Sequence, residues 1–197
     1  MRIISGSARG RRLFSPPGQD LSIRPTSDRA REALFNIIGD HVEQAAVLDL
    51  FAGTGALGLE ACSRGAGSAT FVDNSRLALE LIRKNIETCF PSAATLSVVP
   101  RLTIIQHDLR RGLPWQLLQK KQLSPFDLVF LDPPYSQGLC QRVLQDWDNH
   151  NLLAAGGLLV AEERAKEKLT LRFSTLELVD NRVYGETAFW IFAQTNR

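Results

Sequence analysis

Val47-Leu48-Asp49-Leu50-Phe51-Ala52-Gly53-Thr54-Gly55-Ala56-Leu57-Gly58 is the stretch that sets the architecture. Val47–Leu50 reads as a short, mostly apolar strand. The glycines permit a tight turn and close approach of a ligand to the backbone. Ala56–Arg64 follows as a helix closed by Gly65. Downstream the alternation repeats. Ala69–Val72, Leu102–Gln106, Phe126–Leu131 and Gly157–Ala161 read as strands, and Arg76–Phe90, Trp115–Lys121 and Leu139–Asp148 as helices. Apolar strands alternating with helices predict an α/β chain whose parallel sheet is covered on both faces. Thr175–Val183 and Ala188–Ala193 flank Gly185-Glu186 with no room for a helix, which predicts a hairpin and an antiparallel last strand. In such sheets a ligand sits beyond the carboxyl ends of the strands.

Upstream of the glycine turn the character changes. Arg2–Ser5 and Arg11–Phe14 can pair as a short hairpin around Gly6–Gly10, and Ser15-Pro16-Pro17-Gly18 breaks regular structure. A helix follows Arg24-Pro25-Thr26, capped by Thr26 or Ser27 and ended by Gly39. Its apolar stripe is Ala30, Ala33, Leu34, Ile37 and Ile38. The expected division is a basic arm over 1–22 and one main domain over 23–197. Residues 1–31 hold seven arginines against two aspartates, while the whole chain carries a net charge of only +2. A basic arm on a mildly acidic body suggests a polyanionic partner, with Arg9, Arg11, Arg12, Arg24 and Arg31 as candidate contacts.

The 197 residues, 44% hydrophobic and 22% charged, are those of an ordinary globular chain that needs no disulfides. Cys62, Cys89 and Cys140 form no C-x-x-C pair and read as small apolar helix residues. His41, His107 and His150 lack metal-ligand spacing. There is no apolar run of about 18 residues and no signal-peptide pattern, so a cytoplasmic protein without membrane contact is expected. Nothing marks a dimer surface, so a monomer is expected.

Gly53-Thr54-Gly55-Ala56-Leu57-Gly58 also matches G-x-G-x-x-G, so two cofactor readings compete. For a dinucleotide, the turn cradles a diphosphate and Asp73 holds a ribose. For S-adenosylmethionine, Asp49 meets a cationic ligand, Asp73 accepts from both ribose hydroxyls, and Asp108 lies where the adenine amine should be.

Phe130-Leu131-Asp132-Pro133-Pro134-Tyr135 decides between them. Its prolines stiffen the segment and remove two backbone donors, so that a carboxylate, a proline carbonyl and an aromatic face converge. An aromatic exocyclic amine is a poor nucleophile because its lone pair is delocalised. Acceptance of its hydrogens by Asp132 and the Pro133 carbonyl would localise that pair, while Tyr135 stacks on the base. Methyl transfer from the sulfonium then needs positioning and a nearby negative charge, and no metal. A carboxylate can accept from both the ring N–H and the exocyclic amine of guanine. The same tetrapeptide serves adenine methylation, so the motif alone leaves the base open.

These motifs resemble class I methyltransferases acting on nucleic-acid amino groups, and most closely the RsmD family of bacterial 16S rRNA guanine-N2 methyltransferases. The resemblance runs from Arg2-Ile3-Ile4-Ser5-Gly6 and Arg9–Leu13, through Arg24–Asn36 and Asp49–Gly58, to Asp132–Tyr135. It implies a seven-stranded Rossmann-like fold with an N-terminal β-hairpin that helps bind RNA. It implies adenosylmethionine contacts at Asp49, Phe51, Gly53, Gly55, Asp73, Asn74, Asp108 and Leu109, with S-adenosylhomocysteine as product. It implies target-amine contacts at Asp132, Pro133, Pro134 and Tyr135. Asp73 stands where glutamate is common. The implied partner is 16S rRNA in a partly assembled small ribosomal subunit. The rivals are a DNA adenine or cytosine amino-methyltransferase, an enzyme methylating glutamine or a small molecule, an RNA-binding module that has lost activity, and a NAD enzyme.

Overall fold

The structure is a computed structural model that describes residues 1–16, 28–91, 100–135, 137–150, 152–170 and 172–195. Its strands are β1 (Ala46–Leu50), β2 (Ser68–Asp73), β3 (Arg101–Gln106), β4 (Phe126–Leu131), β5 (Leu153–Arg164), β6 (Leu176–Tyr184) and β7 (Thr187–Gln194). Its α-helices are α1 (Asp28–Ile38), α2 (Ala56–Ser63), α3 (Arg76–Cys89), α4 (Trp115–Lys120) and α5 (Leu139–Asp148). The seven strands form one sheet in the order β3-β2-β1-β4-β5-β7-β6. β1 pairs in parallel with β2 and β4, β2 with β3, and β4 with β5. Only β7 runs against its neighbours, β5 and β6. The chain leaves β1 toward β2 on one side and β4 on the other, so a crevice opens at its carboxyl end.

Side chains alternate across each strand, and the core divides accordingly. Val47, Phe71 and Phe130 pack with Leu34 and Phe35 of α1, Leu59 of α2 and Ile82 of α3. Leu48, Val72 and Leu131 pack on the other face with Leu118 of α4 and Leu144 and Trp147 of α5. Asp49 shares the face of Val47 and so points beneath α2. Cys62, Cys89 and Cys140 are free and buried. Burial pushes the Cys62 thiol up to about 12 and the Cys89 thiol up to about 11. Among the described residues no helix is long and apolar enough to cross a membrane.

The first residues do not stand apart as an appendage. The expected hairpin is short: about the antiparallel bridge of Arg2 to Arg12, the Ile3 N–H donates to the Arg11 carbonyl, the Gly10 N–H to that of Ile3 and the Leu13 N–H to that of Met1, while Ile4 and Ser5 turn their N–H groups to α2. Both donate to the Glu60 carboxylate on α2, at 2.7 and 3.0 Å. The Ala8 N–H donates to Ser63 Oγ at 2.9 Å, and Ser63 Oγ donates in turn to the Ser5 carbonyl. Gly6 lies so close to α2 that a Cβ there would sit 1.7 Å from the Ser63 carbonyl oxygen, so only glycine fits. Asn85 of α3 clasps the other end. It accepts the Phe14 N–H at 2.6 Å and donates to the Phe14 and Thr54 carbonyls. Ile3, Ala8 and Leu13 join the core.

Two other expectations shift. The buried stripe of α1 is Ala30, Arg31, Leu34, Phe35 and Ile38, with Arg31 and Phe35 taking the places expected for Ala33 and Ile37. β5 extends well beyond Gly157–Ala161 at both ends. The expected caps at Thr26 and Ser27 lie outside the described residues.

Candidate active site

The carboxyl ends of β1, β2 and β4, with the turn after β3, line one cleft of about 590 Å³. At β1 the chain turns sharply, with Phe51 at φ 58°, Gly53 at φ 55° and Gly55 at φ 77°. Gly55 precedes α2, and its N–H donates to the Ala52 carbonyl. At Gly58 α2 packs tightly against the sheet. A Cβ there would lie 2.5 Å from Phe71 Cε1 and 3.1 Å from Asp49 Oδ2.

Asp49 is 2% exposed. Its Oδ2 accepts the Gly58 N–H at 2.9 Å. Burial pushes its carboxyl up to about 7, opposed by that hydrogen bond and reinforced by the charge of Asp73. The first turn of a helix is where a diphosphate would take backbone N–H groups. Here an acidic side chain already holds one of them, so the turn suits a cationic ligand better than an anionic one. Asp73, at the end of β2, accepts the Gly53 N–H through Oδ2 at 2.9 Å and the Ser75 N–H through Oδ1 at 2.8 Å. A carboxylate offers about four acceptor positions, so two remain for hydroxyl donors.

Asp108 follows β3. It accepts from Arg110 twice, Nε to Oδ1 at 2.9 Å and Nη2 to Oδ2 at 3.1 Å. Arg110 holds its carboxyl below the usual carboxylate range. Asp132, Pro133, Pro134 and Tyr135 follow β4, and all four line the cleft. The Asp132 N–H points to the Leu50 carbonyl at 3.4 Å, which joins the ends of β4 and β1. The Tyr135 hydroxyl donates to Glu162 Oε1 at 2.5 Å.

The cleft thus gathers Asp49, Phe51, Gly53, Asp73, Asn74, Asp108, Leu109 and Asp132–Tyr135. Gly55 shapes the turn without lining the cleft. Arg9, Arg11 and Arg12 are exposed on the arm, outside the cleft, and Arg24 lies outside the described residues. Arg31 departs from the surface role expected of it. Its side chain is 0% exposed. Nη2 donates to the Arg2 carbonyl and, at 3.1 Å, to Asp28, while Nε lies 3.9 Å from Glu60. Burial pulls its pKa down against the pull of Glu60 and Asp28. Arg31 is a core cation that braces the arm, because Glu60 on the facing helix supplies its counter-charge. The sequence does not single out Arg110, Glu162 and Arg164. Arg110 and Arg164 line the cleft, and Glu162 holds Tyr135. The charges Glu162-Glu163-Arg164 look like a loop after a strand, and nothing in the sequence marks them as sheet residues. Among the described residues no group of three His, Cys, Asp or Glu side chains is placed to hold a metal ion.

The family model described as conserved hypothetical protein 95 matches residues 1–193. The chain belongs to this family. Ribosomal RNA small subunit methyltransferase D of Escherichia coli (strain K12) is 33% identical over 192 residues, covering 98% of this chain and 89% of its own length. The solved structure of yhhF from Escherichia coli superposes with a TM-score of 0.79 at 31% identity, covering 100% of this chain and 99% of that one. The family likeness read from Arg2–Leu13 and Arg24–Asn36 is therefore borne out, as is the α/β methyltransferase fold. A more remote structure, SMU.776, was solved in complex with SAH. It shares the fold at 16% identity and a TM-score of 0.60, covering 87% of this chain and 50% of that one.

Proposed function

We propose that the chain transfers a methyl group from S-adenosylmethionine to the exocyclic N2 amine of a guanine in 16S rRNA, within a partly assembled small ribosomal subunit. S-adenosylhomocysteine is the second product and no metal takes part. The enzyme acts in the cytoplasm as a monomer, with residues 1–22 as an RNA-contacting arm on a catalytic body over 23–197. The observation that carries this reading is the shared cleft: the rigid Asp132–Tyr135 segment faces the same space as the glycine turn and Asp49, Asp73 and Asp108. The relative named for small-subunit rRNA methylation supports the substrate.

The residues fit the cofactor on chemical grounds. Asp49, buried beside the turn, answers a cationic ammonium or sulfonium. Asp73 has acceptor positions left for a ribose diol. Asp108, once its Arg110 clasp yields, can accept an adenine amine. When bound, the cofactor supplies an electrophilic methyl group on a positively charged sulfur. Asp132 accepts a hydrogen bond from the target amine and the Pro133 carbonyl accepts one from its second N–H, so the nitrogen lone pair is freed to bond to carbon as the carbon–sulfur bond breaks. The proton that the methylated nitrogen sheds would pass to the Asp132 carboxylate or to water. The Asp132 carboxylate lies beside the nitrogen as that atom gains positive charge, which favours the transition state. Tyr135 fixes the plane of the base. Arg9, Arg11 and Arg12 attract the phosphate backbone.

Asp132→Ala tests the chemistry. Turnover should be lost while adenosylmethionine affinity, measured by calorimetry, stays within about twofold, since Asp132 touches the target and not the cofactor. Turnover within about twofold of the parent would remove Asp132 from the reaction.

A further inference from the structure

β5 brings two charged side chains to Tyr135 that the reaction scheme does not use, Arg164 lining the cleft and Glu162 accepting the phenol hydroxyl. Glu162 and Arg164 are two residues apart, so they share one face of the strand. Glu162 is 3% exposed, among the most buried carboxylates of the chain. The Tyr135 hydroxyl donates to it at 2.5 Å. Thr187 pairs with Arg164 across β5 and β7. The Arg164 guanidinium carbon lies 5.6 Å from the Tyr135 ring centroid, within cation–π range. The ring is thus tethered at its tip and covered on one face.

We infer that Glu162 is a positioning residue for the target base: it fixes the ring plane of Tyr135 through the phenol hydroxyl, while Arg164 backs one face and leaves the other to the base. This rests on the reading of Tyr135 as the stacking residue. Burial and the Glu162 charge both push the phenol well above its usual range, so it stays protonated as a donor to Glu162. Its chemical contribution is then the ring, held still. A phenylalanine there could stack but could not be tethered this way, so Glu162 and the tyrosine hydroxyl act as a pair.

The test is a double-mutant cycle on methylation of small ribosomal subunits, with Glu162→Ala, Tyr135→Phe and both together. Loss of one charge-assisted hydrogen bond should lower kcat about tenfold in either single variant, and the double variant should be no slower than Tyr135→Phe. The KM for adenosylmethionine should not move. Glu162→Gln, whose amide oxygen still accepts, should recover most of the loss. An equal loss from Glu162→Ala in the Tyr135→Phe background would overturn the inference, as would failure of Glu162→Gln to rescue.

A second arm needs no turnover. In a Tyr184→Phe background Tyr135 is the only tyrosine, since the chain has two, and its ionisation can be followed by phenolate absorbance. Glu162→Ala should bring the midpoint down toward that of a free tyrosine, and an unchanged midpoint would sink the tether. A parent enzyme that methylates no guanine would defeat the proposed function, and the titration would still decide the tether.

Discussion

Asp49 Oδ2 accepts the backbone N–H of Gly58 at 2.9 Å, tying β1 to the first turn of α2. That bond leaves a buried carboxyl pushed up to about 7 by the loss of water around it. The sign of the consequence follows from linkage. Between its ordinary value of 3.8 and about 7 the folded chain keeps a proton on Asp49 that the unfolded chain gives up. Stability from this group therefore falls as pH rises through that window. A cationic cofactor selects the ionised form, so its affinity should rise by up to about tenfold per unit below the titration point and level off above it. Calorimetry of adenosylmethionine binding across this range checks it. The rise should vanish in Asp49→Asn, and a flat profile in the parent would break the link between Asp49 and the cofactor.

Gly58→Ala places a methyl group 2.5 Å from Phe71 and 3.1 Å from the Asp49 carboxylate. Because both neighbours are core groups, α2 must move off the sheet, at a cost of about 1–3 kcal/mol. Denaturant unfolding should show the loss, and cofactor binding should weaken with it. Unchanged stability would mean that the helix is not packed as tightly as the geometry requires.

Glu60→Ala removes the acceptor for Ile4 and Ser5, the 2.8 Å partner of Arg64 and the buried counter-charge of Arg31. Leaving the Ile4 and Ser5 donors unpaired and Arg31 with Asp28 as its remaining carboxylate partner should cost about 1–3 kcal/mol. The arm should also become accessible to proteases near Ile4, read by mass spectrometry of the first cleavage products. An arm that stays protected would show that Ile3 and Leu13 hold it without Glu60.

Much of this molecule is legible in its sequence because apolar runs and helix stripes report burial directly. β4 and α5 have the bounds expected, and β1, β2, β3 and α3 differ by a residue at an end or two. The misses have a common cause. β5 runs on through Glu162 and Glu163 because those carboxylates are buried by tertiary contacts, one taking the Tyr135 hydroxyl, and charges in a strand carry no local signal of that kind. At its other end Gly156 has φ 76°, and the register with β4 shifts between Phe126 and Leu128, so the strand is irregular where the sequence reads as a turn. Arg31 misleads in the same way. An arginine in a basic segment looks like a phosphate contact, and only the fold reveals Glu60 opposite it. The site motifs were readable because each sits at a strand end. The polar partners that hold them, Arg110 on Asp108 and Glu162 on Tyr135, come from elements that meet only in three dimensions.

Arg11 and Arg12 are exposed on the arm. Replacing both with alanine should weaken RNA binding and reduce the slope of log affinity against log salt by about two, one for each phosphate no longer neutralised. Cofactor binding should not change. An unaltered slope in filter-binding titrations would place the RNA-binding face on another surface.

The most direct measurement is the identity of the methylated nucleoside. The protein would be incubated with adenosylmethionine and small ribosomal subunits lacking the modification, and the 16S rRNA digested and analysed by mass spectrometry. N2-methylguanosine should appear with the parent enzyme and be absent with Asp132→Ala. Methylation confined to another base, to DNA or to protein, or none at all from a protein that binds the cofactor, would contradict the proposed reaction.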